Sequence, residues 1–366
     1  MKIDNEVKLD FDDVLLVPQR SKAASRKNVD ISRTFHFFHS SLTWTGTPIC
    51  IANMDTTGTF EMAKSLSEKR CITCLHKYYQ IEDYVKNPIE VNTYWYSMGI
   101  NGNEVEKLSE IIDRIAYIPN ICIDVANGYT DNFVEHCRKI RDKFGNKPII
   151  MAGNVCTPEM VHELILHGGA DIVKVGIGPG SACTTRLKTG VGYPQLSAII
   201  ECSHAAHGLK NGDRRLGLIC ADGGCRTSSD VVKAFAAGSD FVMLGGILAG
   251  TEQCEGFWKY DNTIEYGFGK QYPENNFKLE KRKTEFTYYG MSSHTAQEKY
   301  GGIKSYRASE GRTIRVPYKG DVSIVIEDIL GGIRSACAYV GADTLKDLPK
   351  CAEFIRVNRV HFDRSV

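Results

Sequence analysis

Residues 148–178 decide the fold. They read Pro148-Ile149-Ile150-Met151-Ala152-Gly153-Asn154, a segment opened by Thr157-Pro158 and closed by Gly168-Gly169, then Ile172-Val173-Lys174-Val175-Gly176-Ile177-Gly178. The two outer runs are apolar without alternation, the pattern of strands covered on both faces in a parallel sheet. Between them, Thr as N-cap and Pro in the first turn start a helix. Val161, Leu164 and Ile165 follow at helical spacing, and the glycine pair ends the element.

The same alternation extends in both directions. Apolar runs lie at 48–54, 71–76, 93–98, 121–127, 148–154, 172–178, 216–224 and 241–247. The stretch 229–237 repeats the helix pattern, with Val231, Ala234 and Phe235 on one face and Gly238 at the stop. About eight strand–helix repeats fit an α/β fold of the (β/α)8 TIM-barrel type, of roughly 250 residues. A doubly wound sheet would want GxGxxG after its first strand, and none follows residue 54. Residues 1–47 form an N-terminal extension. Residues 252–320 form a polar insertion after the last strand, expected as a hairpin-like part (252–284) and an ordered active-site flap (285–320). A final helix is expected over 322–339. No boundary divides residues 1–366 into separate domains.

Composition narrows the partners. A formal net charge of +1, with 24% charged and 42% hydrophobic residues, gives no global basic field; no nucleic acid and no membrane partner is expected. The first ten residues alternate charged and apolar side chains, unlike a signal peptide. Thirteen cysteines without disulfide-like spacing point to free thiols in the cytosol.

Chemistry-bearing residues gather at the ends of the apolar runs: Asn53, Asp55, His76, Asp124, Asn127, Asn154, Gly178, Asp222 and Gly245. The C-terminal ends of barrel strands are where such folds build sites. The richest is Val175-Gly176-Ile177-Gly178-Pro179-Gly180-Ser181-Ala182-Cys183-Thr184-Thr185-Arg186. A lone cysteine is often only a small buried hydrophobe. Here glycines leave little apolar wall around it, and Ser181, Thr184, Thr185 and Arg186 supply donors that can stabilise a thiolate, so a nucleophile is the alternative. Asp222-Gly223-Gly224 and Gly245-Gly246 follow the seventh and eighth runs, where barrels hold phosphate; Asp222 suits ribose hydroxyls. Tight turns are the plain alternative. Backbone carbonyls of Gly178, Gly180 and Cys183 could hold a monovalent cation. Cys71-x-x-Cys74 and His204-x-x-His207 lack a second ligand pair and read as structural. In the flap, Gly290-Met291-Ser292-Ser293 and Tyr306-Arg307-Ala308-Ser309-Glu310-Gly311 mix hydroxyls, an arginine and a carboxylate among glycines, as a lid over the barrel mouth would.

Taken together, the Cys loop, the glycine pairs and the flap resemble the IMP dehydrogenase/GMP reductase family. The likeness runs from Asp10-Phe11-Asp12-Asp13-Val14-Leu15-Leu16 to Asp328-Ile329-Leu330-Gly331-Gly332-Ile333-Arg334-Ser335. Asn53-Met54-Asp55-Thr56, Asp124-Val125-Ala126-Asn127-Gly128-Tyr129, Cys183-Thr184-Thr185-Arg186 and Tyr306-Arg307-Ala308-Ser309-Glu310-Gly311 read as the reductase forms. No room exists for the dehydrogenase's CBS modules, and Glu310 stands where the dehydrogenase has glutamine.

The resemblance implies NADPH-dependent reductive deamination of GMP to IMP and ammonia, with Cys183, Thr185 and Glu310 catalytic. It implies nucleotide contacts from Asp222, Gly223, Gly224, Gly245, Gly246, Gly290, Met291, Ser292, Arg307, Ala308, Ser309, Glu310 and Gly311. Dinucleotide contacts are implied for Lys77, Asp124, Val125, Ala126, Ile177, Gly178, Met291, Tyr306 and Arg307. Ser25, Arg26, Ser335, Ala336, Cys337 and Ala338 are implied to reach it from a neighbouring subunit of a homotetramer. A K+ ion is implied on carbonyls of Gly178, Gly180, Cys183 and Arg186. Rival readings are a dehydrogenase lacking CBS modules and a purine-nucleotide sensor without turnover. Two segments depart from the family pattern, a lengthened loop at 209–217 and the long 252–284 connection.

Overall fold

The computed structural model describes residues 3–21, 25–88, 93–264, 279–302 and 308–358. Eight parallel strands close into a barrel: β1 (Ile49–Ile51), β2 (Ile72–Leu75), β3 (Tyr94–Met98), β4 (Asn120–Asp124), β5 (Ile150–Val155), β6 (Ile172–Val175), β7 (Leu218–Asp222) and β8 (Phe241–Leu244). Each pairs with its chain neighbour, and β8 pairs with β1, Val242 opposite Ile49. Every expected run overlaps one of these strands; six contain theirs whole, while β4 begins one residue before its run and β5 ends one residue after.

The runs overshoot at their C-terminal ends: 121–127, 172–178 and 241–247 hold strands that stop at Asp124, Val175 and Leu244. The last residues of these three runs leave the ladder at the barrel mouth, and the overshoot is loop that builds the site.

Helices α1 (Phe60–Leu66), α2 (Ile81–Lys86), α3 (Glu104–Ile115), α4 (Asp131–Phe144) and α5 (Pro158–Leu166) cover the first half of the barrel. A short α6 (Thr185–Thr189) precedes α7 (Gln195–Gly208), and α8 (Ser228–Ala236) follows β7. In α5 the buried face is Val161, Leu164 and Ile165, as the spacing predicts, behind a Thr157 N-cap and Pro158. Thr227 caps α8, its hydroxyl accepting from the Asp230 N–H while Asp230 reaches back. That reciprocal pair satisfies orphan donors of the first turn. The loop at 209–217 is a small hairpin, Lys210–Asn211 against Arg214–Arg215.

Inside the barrel, Cys50, Cys74, Trp95, Cys122, Met151, Ile172, Cys220 and Met243 belong to one buried cluster. The N-terminal extension closes its lower end. Strands Arg33–His36 and Thr43–Gly46 pair antiparallel and place Phe35 and Trp44 against Phe241, with ring centroids 4.7 and 5.3 Å away. Beyond β8 lies a three-stranded antiparallel sheet, β9 (Trp258–Ile264), β10 (Leu279–Tyr289) and β11 (Thr313–Pro317). The hairpin expected over 252–284 and the flap expected from 285 therefore share one strand, β10. Helix α9 (His294–Tyr300) sits within the flap, and α10 (Val322–Val340) packs beside α8. Among the described residues, no helix is long and apolar enough to cross a membrane.

Asp240 at the start of β8 is 2% exposed. It accepts from His207 Nε2 at 2.7 Å, Arg215 Nη1 at 3.3 Å and the Ile219 N–H at 3.1 Å. Burial pushes its carboxyl upward, but His207, Arg215 and Arg33 together hold it below the usual carboxylate range. A depressed folded value means the stabilisation is present above the unfolded value, near 3.9, and is lost as pH falls through the folded one. Asp240→Asn should cost about 3–5 kcal/mol at neutral pH, the scale of a broken buried pair. The gap to the unsubstituted protein should narrow below about pH 4, as measured by denaturant titration across pH.

Candidate active site

The loop leaving β6 and the strand entering β11 meet over the barrel mouth. The Thr184 N–H donates to the Glu310 carbonyl at 2.8 Å, the Arg312 N–H donates to the Ala182 carbonyl at 2.9 Å, and Cys183 and Gly311 form a β-bridge. This backbone pairing brings Glu310, distant in sequence, beside the cysteine. Cys183 Sγ lies 3.2 Å from Thr185 Oγ1, which donates to Glu310 Oε2 at 2.8 Å. Because the threonine hydroxyl donates to the carboxylate, its lone pairs face the thiol. A proton can pass from sulfur through oxygen to carboxylate.

Burial selects this thiol among thirteen. Ten cysteines are buried, and only Cys183, Cys225 and Cys351 are partly accessible. Burial, with Asp230 and Asp222 nearby, pushes the Cys225 thiol well up, which leaves it protonated. Cys351 Sγ contacts the Gly341 carbonyl at 3.8 Å, away from the mouth.

Two cavities meet at Cys183, Gly290 and Met291. One, of about 200 Å³, is lined by Gly180, Ser181, Asp222, Gly223, Gly224, Gly245, Gly246 and Tyr288. The other, of about 400 Å³, is lined by Asn53, Lys77, Tyr78, Asp124, Val125, Ala126, Asn154, Ile177, Gly178, Thr185, Ser292 and Glu310. Asp222 and the two glycine pairs, expected on the nucleotide, line the smaller cavity, and Lys77, Asp124, Val125, Ala126, Ile177 and Gly178, expected on the dinucleotide, line the larger; Ser292 and Glu310, expected on the nucleotide, also line the larger one. Ser309 Oγ contacts the Ser292 and Gly311 carbonyls at 3.4 and 3.2 Å and braces the flap, next to Ala308.

Some expected residues stand elsewhere. The Arg186 guanidinium does not face the thiol. It donates to Asp10 Oδ2 at 3.0 Å and to the Tyr193 carbonyl, because the chain turns it toward the N-terminal extension. Of the four polar neighbours in the sequence, only Thr185 touches Cys183 through its side chain. Ser25 caps the turn carrying Arg26, and Arg26 Nη1 donates to Ser335 Oγ at 3.2 Å. That group lines neither cavity at the thiol. Ala336 borders a separate groove of about 390 Å³ with Leu15, Leu16 and Tyr339. Cys337 is wholly buried and Ala338 half-buried. Tyr306 and Arg307 lie outside the described residues.

The sequence reading missed several groups. Lys174, 1% exposed, donates to Asp124 Oδ1 at 2.5 Å and to Asp222 Oδ2 at 3.1 Å. A lysine inside an apolar strand run is itself a signal. Gln195 Nε2 donates to the Val175 and Asp222 carbonyls at 2.8 and 3.3 Å. Tyr288 lines the smaller cavity, its hydroxyl 3.0 Å from Met54 Sδ.

Asp55, on the β1–α1 loop, accepts at Oδ2 from Tyr289 at 2.7 Å, Lys299 at 2.8 Å and Tyr300 at 2.7 Å. The Tyr300 ring stacks on Tyr78, which lines the larger cavity, with centroids 3.4 Å apart. Burial and then Asp55 push the Tyr300 hydroxyl upward, so it stays a donor. One carboxylate therefore ties α9 to the barrel rim. Asp55→Ala should speed amide exchange across residues 294–300 by at least about tenfold, the loss of one charge-assisted hydrogen bond, measured by hydrogen-exchange mass spectrometry.

Comparison with known proteins places this architecture. The family model "IMP dehydrogenase / GMP reductase domain" matches residues 8–365. GMP reductase 1 of Homo sapiens is 50% identical over 365 residues, 98% of this chain and 98% of that protein. GMP reductase of Caenorhabditis elegans is 50% identical over 371 residues, 100% of this chain and 96% of that protein. GMP reductase of Buchnera aphidicola subsp. Acyrthosiphon pisum (strain Tuc7) is 50% identical over 363 residues, 98% of this chain and 96% of that protein. With a barrel, a cysteine loop and a flap that correspond to a match across almost its whole length, the chain belongs to the IMP dehydrogenase/GMP reductase family.

Proposed function

We propose that this enzyme catalyses the NADPH-dependent reductive deamination of GMP: GMP, NADPH and two protons give IMP, NADP+ and ammonium. The observation that carries this reading is the Cys183–Thr185–Glu310 chain, a thiol, a hydroxyl and a carboxylate in hydrogen-bond order. The relatives named GMP reductase supply the substrate class.

GMP fits the smaller cavity and its junction with the larger. Phosphate suits the backbone N–H groups around Gly223, Gly224, Gly245 and Gly246, and ribose hydroxyls suit Asp222. That geometry presents purine C2 to Cys183, under Gly290, Met291, Ser292 and the segment from Ala308 to Gly311. Arg307 belongs with this segment by family likeness.

Cys183 Sγ forms a bond to C2 as the C2–N3 π pair moves onto N3, and the thiol proton moves through Thr185 to Glu310. The adduct is tetrahedral. The 2-amino group is a poor leaving group until protonated, and Glu310 returns the proton to it through Thr185. Ammonia departs and leaves an sp2 thioimidate on Cys183. Splitting the substitution this way replaces one hard step by two easier ones. NADPH, when bound, supplies the hydride that C2 accepts. The C2–S bond then breaks, Cys183 regains its thiolate and IMP is free to leave. Water would hydrolyse the thioimidate, so the flap's backbone pairing with the cysteine loop serves to exclude it.

The larger cavity suits the dinucleotide. Asp124 can accept ribose hydroxyls, Lys77 can face phosphate, and Val125, Ala126, Ile177, Gly178 and Met291 give apolar wall. Asn154 Oδ1, also on this cavity, is buried without a partner among the described residues. A ligand N–H or O–H would satisfy it. Tyr306 and Arg307 join this site by family likeness. The cofactor's far end is met by Ser25, Arg26, Ser335, Ala336, Cys337 and Ala338 of a second chain in a homotetramer. That this cluster lines neither cavity at Cys183 within one chain supports this. Carbonyls of Gly178, Gly180, Cys183 and Arg186 would hold K+; those of Gly180 and Arg186 each accept one backbone N–H, which leaves a lone pair on each. Thirteen unpaired thiols support action in the cytosol.

Nicotinamide absorbance tests the reading. NADPH oxidation with GMP, matched by ammonia release, is expected. Reduction of NAD+ with IMP and no activity on GMP would make it a dehydrogenase; GMP binding without either reaction would make it a sensor. Cys183→Ala should lower turnover by at least about 10⁴-fold, the loss of covalent catalysis, while GMP binding by calorimetry stays within a few-fold. Glu310→Gln should slow ammonia release by about 10²-fold or more, the scale of general acid catalysis, and slow hydride transfer to the preformed thioimidate far less. Stopped-flow separates the two half-reactions.

A further inference from the structure

We propose that Lys174 is a positioning residue whose single buried ammonium pairs with both Asp124 and Asp222 and aims each toward a different ligand. This rests on the reading above that Asp222 meets the nucleotide and Asp124 the dinucleotide. Lys174 sits on β6 between the two cavities. Asp222 lines the smaller one and Asp124 the larger. Lys174 itself is 1% exposed and lines neither.

An ammonium has three donors. Nζ reaches Asp124 Oδ1 at 2.5 Å, Asp222 Oδ2 at 3.1 Å and Met243 Sδ at 3.8 Å. No donor is left for a ligand, so its role is exerted through the carboxylates. A structural counter-charge would need one partner. Here two carboxylates converge from β4 and β7, and both keep a side open to a cavity: the side chain of Asp124 is 37% exposed and that of Asp222 20%. Asn154 Nδ2 adds a donor to the same Asp222 Oδ2 at 2.8 Å. Both protein donors fall on one oxygen of Asp222, which leaves the other for hydroxyls.

The backbone makes room for this lysine. A Cβ on Gly153 would lie 2.5 Å from Lys174 Cβ and 2.6 Å from its carbonyl oxygen. Only glycine lets β5 pass so close while the lysine stem runs inside the barrel. Burial would push Asp124 upward, yet Lys174 leads the charges that hold it below the usual carboxylate range. Two carboxylates against one ammonium leave an excess negative charge, which suits hydroxyl donors from both ligands.

The test uses charge-balanced variants of the full-length enzyme, because Lys174→Met alone leaves two neighbouring anions without their shared cation. Lys174→Met/Asp124→Asn and Lys174→Met/Asp222→Asn each remove one cation and one anion, so the cluster keeps its net charge. GMP affinity is read by calorimetry without dinucleotide, and the NADPH KM and kcat at saturating GMP. Lys174→Met/Asp124→Asn should bind GMP about tenfold more weakly than Asp124→Asn, the size of a charge-assisted hydrogen bond. Lys174→Met/Asp222→Asn should raise the NADPH KM about tenfold over Asp222→Asn, with a smaller change in kcat. Lys174→Arg, which keeps the charge, should recover most of both effects. A double variant that matches its parent overturns the proposal. Asp222→Asn without effect on GMP affinity, or Asp124→Asn without effect on the NADPH KM, overturns the site reading instead, and the proposal with it.

Discussion

The site depends on three backbone contacts between the cysteine loop and the flap: Thr184 to Glu310, Arg312 to Ala182, and the Cys183–Gly311 bridge. They fix a carboxylate from one end of the chain against a thiol from its middle. Side chains alone could not do this, since Thr185 and Glu310 have no other reason to meet. The pairing also demands close approach. A Cβ on Gly311 would lie 2.7 Å from the Ser293 nitrogen, so glycine there is a steric requirement rather than a flexible joint. Backbone hydrogen bonds are obligatory partners wherever water is kept out. The same contacts therefore set Glu310 beside Cys183 and hold the flap against the barrel mouth.

Barrel and flap contribute different chemistry. The barrel supplies fixed electrostatics: Lys174, Asp124, Asp222 and Asn154 form a polar cluster on strands whose other inward side chains are largely apolar. The flap brings a carboxylate, Glu310, together with Met291 and Ser292, to the wall of the larger cavity. Asp55 links the two, with three flap donors on one oxygen. In a low-dielectric interior such networks are costly when half satisfied and rigid when complete.

The barrel was legible because its signal is local. Continuous apolar runs and helix caps each need only a few neighbours, and six of the eight strands lie wholly inside the expected runs, while β4 and β5 each pass the end of theirs by one residue. The strand ends were legible for the same reason: Asp124, Asp222 and the glycine pairs sit where barrels build sites. Contacts made by distant residues were not. Arg186, adjacent to the cysteine motif, turns to Asp10 far back in the chain. Lys174 was hidden inside a run read as core, and Tyr288, Tyr289, Lys299 and Tyr300 were hidden inside a polar insertion. Their partners, Met54 and Asp55, lie more than two hundred residues away. Spacing along a chain carries no record of such pairings.

The central claim is that Cys183 becomes covalently joined to the purine. Intact-protein and peptide mass spectrometry of enzyme quenched in acid during turnover of GMP with limiting NADPH tests it most directly. The account predicts a mass increase equal to GMP less ammonia, located on the peptide that contains Cys183 and discharged when NADPH is added in excess. Steady ammonia release with an unmodified Cys183 peptide, or with the purine found on another residue, would contradict it.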